Sequence, residues 1–400
     1  MTAITMTNGA VSPMAAEALI GHTKFEPLPT VRNIMITGGA GFIASWVTRH
    51  LVLTYPDAYN IVSFDKLEDC STLKNTECLD NQPNFSFYQG DLTHPGEVLD
   101  CMEKHKIDTV MHFAAQSHVD LSFGNSYRFT HANVYGTHVL LESSRKIGVT
   151  RFIHVSTDEV YGEVDHDADE LVESSVLCPT NPYAASKAAA EMLVQSYQKS
   201  FKLPSIIVRS NNVYGPHQYP EKIIPKFICL LNRGQPVVLH GDGTPTRRYL
   251  YAADAADAFD TILHKGQIDE IYNVGSTDEV SNIDLCKKLL QAMKIPQDTA
   301  DDFRKWVKYT HDRPFNDRRY AVNASKLAKL GWTQGTTFDE GLAATVSWYS
   351  GYGETWWGDI GRVLTPFPVV PEGEFVLSRI GHLIRDDPLG SGDESGNDGK

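Results

Sequence analysis

One short apolar run breaks into glycines and restarts as a helical stripe, and no other feature constrains the fold of this chain so tightly. Asn33-Ile34-Met35-Ile36-Thr37 reads as a strand and Gly38-Gly39-Ala40-Gly41 as a tight turn. Apolar residues at 42, 43, 46, 47, 51 and 52 then mark one face of a helix running from Phe42 to Tyr55. Gly38 permits the turn, and Gly41 lets the backbone approach a pyrophosphate at the helix N-terminus. Ala44 stands where a small residue is needed for the helix to pack on the strand. Gly38, Gly41, Phe42 and Ile43 are therefore the first candidate cofactor contacts.

The same alternation recurs. Ile61–Asp65, Phe85–Tyr88, Thr109–Phe113, Arg151–Val155 and Ser205–Val208 are apolar runs separated by helical stretches. Strands alternating with helices predict an α/β chain with a Rossmann-type, doubly wound parallel sheet, followed by a smaller C-terminal substrate-binding lobe. Residues 1–30 lack periodicity and are expected to be a disordered extension. Residues 31–210 form the predicted NAD-binding Rossmann domain with the catalytic residues. Residues 211–358, rich in turns such as Gly241-Asp242-Gly243, form mainly the second lobe, with the chain free to cross between lobes. Residues 359–400 form a C-terminal extension, expected to be acidic and disordered after 385 because Asp386, Asp387, Asp393, Glu394 and Asp398 sit among Gly and Ser.

Asp65 closes the second strand, where a carboxylate accepts from both ribose hydroxyls of a dinucleotide and repels a 2′-phosphate, so NAD is expected rather than NADP. Lys66 is assigned to the same site. Asp91, after Gly90, either meets the adenine amino group or serves as a turn residue, with Leu92 beside it. Ala114 and Ala115 end the fourth strand with small side chains, as backbone packed against a dinucleotide requires.

Thr157-Asp158-Glu159 closes the fifth strand, and Tyr183 and Lys187 follow in the opening turns of a helix with Asn181 as N-cap and Pro182 at its first position. A Tyr and a Lys four positions apart share one helix face, so the ammonium can lower the phenol pKa. Such a phenolate takes a proton from a sugar hydroxyl near neutral pH. A redox enzyme alone needs no adjacent pair of carboxylates. Two of them with different tasks suggest elimination, one taking a carbon-bound proton and the other protonating a departing hydroxyl. Arg247, Arg248 and Arg313 are candidate diphosphate clamps, since a guanidinium binds phosphate as a bidentate fork. Asn211, Asn212 and Asn273 are candidate sugar or phosphate contacts.

Charge and composition exclude other classes. The 50 acidic and 36 basic residues leave a net charge of −14, against the basic face of a nucleic-acid binder. No run of apolar residues is long enough to span a membrane, and no signal-like segment opens the chain, so a cytoplasmic location is expected. Six scattered cysteines are expected as reduced thiols. His112, His118, His131, His138 and His154 match no zinc spacing, and no metal site is expected.

With these residues in hand, the chain resembles the extended short-chain dehydrogenase/reductase family from about Asn33 to Gly358. Val155–Gly162 is similar to the nucleotide-sugar 4,6-dehydratases within it, as are His118-Val119-Asp120, Tyr219–Pro225 and Gly241-Asp242-Gly243. Asp65-Lys66-Leu67, Phe123–Ser126, Asn211–Pro216, Arg313–Tyr320 and Trp356-Trp357-Gly358 resemble the UDP-glucose 4,6-dehydratases of plants and fungi. The resemblance implies bound NAD, UDP-glucose as substrate and UDP-4-keto-6-deoxyglucose as product. Tyr183, with Lys187 and Thr157, would take the C4 hydroxyl proton; Glu159 would take the C5 proton and Asp158 would protonate the leaving C6 hydroxyl. Ser117 and Lys222 are expected at the substrate. dTDP-glucose is the alternative substrate, and a UDP-sugar 4-epimerase or a non-catalytic nucleotide-binding relative stand behind it. A homodimer is implied, built from the helix between Asn125 and Lys146 and the one starting at Pro182. About forty residues follow Gly358, so a separate epimerase/reductase is expected to receive the ketone.

Overall fold

The computed structural model describes residues 19–165, 168–312 and 316–367. Arg313, residues 1–18 of the N-terminal extension and the acidic tail from residue 368 lie outside them.

Twelve strands occur among the described residues: β1 Asn33–Thr37, β2 Asn60–Asp65, β3 Phe85–Gln89, β4 Thr109–His112, β5 Arg151–Thr157, β6 Ser205–Ser210, β7 Asn212–Tyr214, β8 Val237–His240, β9 Thr246–Tyr251, β10 Ile271–Val274, β11 Glu279–Ser281 and β12 Val307–Thr310. Seven form one all-parallel sheet in the order β10-β6-β5-β4-β1-β2-β3. These strands are apolar almost throughout because both faces are covered. Helices Phe42–Thr54 and Ala252–Lys265 bury Trp46, Val47, Phe259 and Ile262 on one face. Helices Pro95–Lys104, Gly136–Ile147 and Pro182–Phe201 bury Met102, Leu140 and Val194 on the other. The connection after β1 runs outward to β2 and the one after neighbouring β4 runs the opposite way to β5, which opens a crevice at the carboxyl ends of β1 and β4.

A smaller lobe contains the sheets β11-β9-β7 and β12-β8 around Tyr214, Phe227, Leu231, Leu289 and Trp348. Helix Ala252–Lys265 and β10 return from it to the main sheet.

Two expectations differ from the structure. Residues 19–30 were expected within a disordered extension but are packed against the Rossmann unit. Thr23 Oγ1 donates to Asp257 Oδ1 at 2.9 Å and to Asp260 Oδ2 at 2.8 Å. The amides of Phe25 and Leu28 donate to the hydroxyls of Tyr55 and Tyr59 at 2.8 Å each. The docking points belong to distant helices and leave no periodic signal in the segment itself. The expected helix between Asn125 and Lys146 is interrupted by a π-helical stretch, Thr130–Tyr135, between Ser126–Phe129 and Gly136–Ile147. Buried Asn133 sits in this stretch, exchanges hydrogen bonds with the Gln116 backbone at 2.7 and 3.0 Å, and donates to Ser186 Oγ at 2.9 Å. The extra residue in the turn thereby ties the loop after β4 to the helix starting at Pro182.

That helix is anchored from below. Glu191 is 0 % exposed and receives Nε and Nη2 of Arg209 on β6, the shorter contact being 2.7 Å. Removing one member leaves a buried charge without its partner, so Glu191→Ala is expected to cost about 3–5 kcal/mol in chemical denaturation. A loss below about 1 kcal/mol would show that the pair is dispensable to the fold.

Candidate active site

The carboxyl end of β5 delivers Thr157 and then turns through the 3₁₀ segment Asp158–Tyr161. Thr157 Oγ1 accepts from the Glu159 amide at 3.3 Å and donates to Asp158 Oδ1 at 3.2 Å. Gly162 ends the turn at φ 81°, where a Cβ would lie 2.2 Å from the Cys178 carbonyl oxygen. Asn211 Nδ2 donates to Asp158 Oδ2 at 2.5 Å, and Asn181 Nδ2 to Glu159 Oε2 at 3.1 Å. Burial, followed by the adjacent Glu159 charge, raises the Asp158 carboxyl to about 7, against the bonds from Asn211 and Thr157. Asp158 therefore retains its proton close to neutrality.

Tyr183 and Lys187 enter the same cleft from helix Pro182–Phe201. The expected effect of Lys187 on the phenol is not what the structure shows. Burial pushes Tyr183 above its ordinary range, the Glu159 charge adds to this, and the hydrogen bond with Thr157 opposes it. Lys187 is itself lowered to about 8 by burial, with Glu191 pulling the other way. Its Nζ donates to the Val155 carbonyl at 2.7 Å. Helical spacing places the two side chains on one face, but desolvation, which a sequence pattern does not express, governs their proton affinities.

The cofactor residues expected from sequence converge on this cleft. Gly38, Gly41, Phe42 and Ile43 line it at the first turn, Asp65 and Lys66 after β2, Asp91 and Leu92 after β3, and Ala114 and Ala115 after β4. Gly38 adopts φ +70°, and a Cβ there would lie 2.9 Å from Ala114 Cα. The following helix begins at Gly41 with no side chain capping it and no acidic residue in its first turn. Such an end suits an anion. Asp65 accepts from the amides of Ala40 and Leu67 at 3.1 and 2.8 Å, which fixes its carboxylate at the cleft wall. Asp91 Oδ1 accepts from the amide and hydroxyl of Thr93, both at 2.9 Å, so Asp91 is a turn residue that also lines the cleft. These residues fit a dinucleotide.

Ser117, Asn211 and Lys222 line the same cleft, with Lys222 Nζ on the Ser117 carbonyl at 2.5 Å. An adjoining cavity shares Glu159, Asn212 and Lys222 and carries Arg247, Asn316 and Tyr320. Arg247 lies over the Tyr320 ring at 4.8 Å and donates to Asn316 Oδ1 at 3.3 Å. Two candidates do not belong. Asn273 is 0 % exposed and accepts from the Tyr161 hydroxyl while donating to the Leu171 and Asn323 carbonyls, so its amide is used inside the fold. Arg248 pairs with Glu170 at 2.7 Å and Glu279 at 3.4 Å and lines neither cavity. Asn273 and Arg248 each sit beside a true lining residue in kind or in sequence, and strand alternation sends Arg247 and Arg248 to opposite faces.

Other site residues were missed from sequence. Glu68 lines the cleft and gathers Lys66 at 2.5 Å, Arg128 at 2.9 Å and Gln116 at 2.5 Å. Asn133 and the second bond of Asn181 depend on tertiary proximity alone. His112 is held neutral, lowered to about 3 by burial, with its ring nitrogens on Thr37 and Thr137 at 2.8 and 2.9 Å. All six cysteines are unpaired. Among the described residues no group of three or more His, Cys, Asp or Glu is arranged to hold a metal, and no helix is long and apolar enough to cross a membrane.

Comparison with known proteins agrees with this geometry. Residues 35–345 match the family described as GDP-mannose 4,6 dehydratase. The chain is 51% identical over 339 residues to a trifunctional UDP-glucose 4,6-dehydratase/UDP-4-keto-6-deoxy-D-glucose 3,5-epimerase/UDP-4-keto-L-rhamnose-reductase of Arabidopsis thaliana, covering 84% of this chain and 50% of the relative. It thus spans about half the length of that plant relative. It is 50% identical over 341 residues to the dTDP-D-glucose 4,6-dehydratase of Mus musculus, covering 85% and 94% of the two chains. A crystal structure of dTDP-glucose 4,6-dehydratase from Streptomyces venezuelae with NAD bound is similar at a TM-score of 0.77 and 36% identity, covering 82% of this chain and 99% of that one.

The Asp158 environment has a consequence for stability. A carboxyl whose folded pKa is raised contributes stability that is complete below its ordinary value of 3.8 and is lost as pH rises toward about 7. Asp158→Asn carries no such loss. Melting temperatures measured across that window are expected to shift in favour of Asp158→Asn as pH rises. A difference that is flat with pH would show that Asp158 is already ionised throughout.

Proposed function

The chain belongs to the nucleotide-sugar 4,6-dehydratase family, and we propose that it is an NAD-dependent hydro-lyase converting UDP-glucose to UDP-4-keto-6-deoxyglucose and water. One observation carries this proposal: two adjacent buried carboxyl groups have different surroundings. Asp158 sits between Thr157 and Asn211 in the first cleft alone and keeps a proton up to about 7, whereas Glu159 accepts from Asn181 and faces both cavities. An elimination needs one acid and one base side by side, and a simple dehydrogenation needs neither.

In this mechanism Gly38 and Gly41 would hold the cofactor's pyrophosphate at the helix start and Asp65 would hold its adenosine ribose. NAD, when bound, would supply a hydride acceptor that becomes the hydride donor, and a positive charge that favours the phenolate of Tyr183. Tyr183 takes the C4 hydroxyl proton, with the Thr157 hydroxyl bridging it to the sugar. Lys187, fixed on the Val155 carbonyl, keeps an ammonium behind the phenol. The 4-ketone acidifies the C5 hydrogen, and Glu159 removes it. Asp158 gives its proton to the C6 hydroxyl, which leaves as water, and hydride addition at C6 is completed by a proton delivered to C5 from Glu159, which exchanges with solvent. Arg247 and Lys222 supply cationic groups for the diphosphate in the adjoining cavity.

UDP as the nucleotide is supported by the segments around Asp65, Phe123 and Asn211, which resemble the plant and fungal enzymes. dTDP-glucose is the second reading, favoured by the mouse relative at 50% identity over 94% of its length. The protein acts as a homodimer in this proposal. Its helix pair exposes Tyr127, Tyr135, Met192 and Phe201 at 43–56 % of their surfaces, an apolar set for a second copy to cover.

Incubation with UDP-glucose and, separately, dTDP-glucose is expected to remove one water from the sugar nucleotide, faster with UDP-glucose, as read by mass spectrometry without added reductant. In heavy water the product is expected to carry one solvent deuterium at C5. Glu159→Gln is expected to stop water loss, and Asp158→Asn to slow it at least about 100-fold. Faster turnover of dTDP-glucose would overturn the nucleotide assignment, and no water loss from either would overturn the dehydratase assignment.

A further inference from the structure

The residue before helix Pro182–Phe201 acts on two elements at once. Asn181 is 5 % exposed. Its Oδ1 accepts from the Ala184 amide at 2.8 Å and caps the helix, while its Nδ2 donates to Glu159 Oε2 at 3.1 Å. Ser, Thr or Asp would cap the helix comparably. Only an amide places a donor beside the capping acceptor on the same planar group.

The two ends of this amide join groups that the proposed chemistry uses together. The helix it caps carries Tyr183 and Lys187 in its first turns, and the 3₁₀ turn it reaches carries Glu159 after β5. Asn181 itself has little freedom. Thr180 Oγ1 donates to Asp317 Oδ1 at 2.8 Å on one side, and Pro182 fixes the backbone on the other. Glu159 is a longer side chain at the cleft wall, with several rotatable bonds to be held. C4 and C5 of a hexose are bonded neighbours, so the acceptor of the C4 hydroxyl proton and the acceptor of the C5 proton must keep a fixed separation. The tolerance for such a constellation is roughly 0.5 Å.

We propose that Asn181 is the positioning residue for the general base, holding the Glu159 carboxylate at a set distance from Tyr183 by anchoring it to the cap of the tyrosine's own helix. The inference rests on the dehydratase reading and deepens it. Base and phenol then move as one unit, although they belong to different elements of the chain.

Asn181→Ser separates this role from capping, because a serine hydroxyl still caps the helix and is too short to span to Glu159. With UDP-glucose it is expected to keep the wild-type KM while kcat falls roughly 10–100-fold, as for the loss of one hydrogen bond to a charged group, and its melting temperature drops by less than that of Asn181→Ala because the cap survives. C4 oxidation outpaces the impaired C5 proton removal, so near-ultraviolet absorbance of reduced nicotinamide builds up on mixing with substrate. Asn181→Ala loses both bonds and is expected to show the same absorbance with a lower melting temperature. Wild-type kcat in Asn181→Ser, or a slower enzyme without that absorbance, would overturn the assignment. A wild-type protein that releases no water from either sugar nucleotide would overturn the dehydratase reading, and this assignment with it.

Discussion

Exclusion of water from the carboxyl end of β5 is the constraint on which the rest of the site depends. Thr157, Asp158, Glu159, Tyr183 and Lys187 are all at most 9 % exposed. In water an aspartate, a tyrosine and a lysine titrate far apart and far from neutrality. Burial moves the carboxyl up to about 7 and the ammonium down to about 8, which brings acid and cation to the pH where a cell works. The shifts follow from packing, because the sheet, helix Pro182–Phe201 and the smaller lobe close on one another around these groups.

Much of this was legible in the sequence, for identifiable reasons. The glycine turn at Gly38–Gly41 is encoded locally, since only glycine tolerates φ +70° with a backbone 2.9 Å from where its Cβ would be. Asp65, Ala114 and Ala115 could be expected at one cleft because a parallel sheet puts every strand's carboxyl end at the same edge, and all three line it. Asn181 and Pro182 announced the helix that carries Tyr183 and Lys187 through capping chemistry. What escaped detection depends on proximity between distant segments. The docking of residues 19–30 is set by Tyr55, Tyr59, Asp257 and Asp260, and the π-helical stretch by what Asn133 must reach. Asn273 looked like a ligand contact because a buried amide and a ligand-facing amide have the same one-letter code.

The smaller lobe shows the same division between local and global information. Its residues bring Arg247 and Tyr320 beside Glu159, in a cavity continuous with the cofactor cleft. A nucleotide sugar reaching from one to the other would have its reacting carbons near β5 and its phosphates among Lys222 and Arg247. Binding energy gathered at the phosphates is then available to hold the sugar against the acid and base, far from the groups that supply it.

Concentrating four ionisable side chains in one dry place opposes folding, and the hydrogen bonds that offset this come from separate parts of the chain. Asn211 follows β6, Asn181 precedes helix Pro182–Phe201, the Val155 carbonyl belongs to β5, and Glu191 meets Arg209 beneath them. Each partner left unpaired in a partly folded chain would leave a buried polar group costing about 1–3 kcal/mol. The stable arrangement is therefore the one in which all of them are met together. The wiring around Asp158, Glu159 and Lys187 also makes a half-assembled site unfavourable, so site geometry and cooperative folding draw on the same hydrogen bonds.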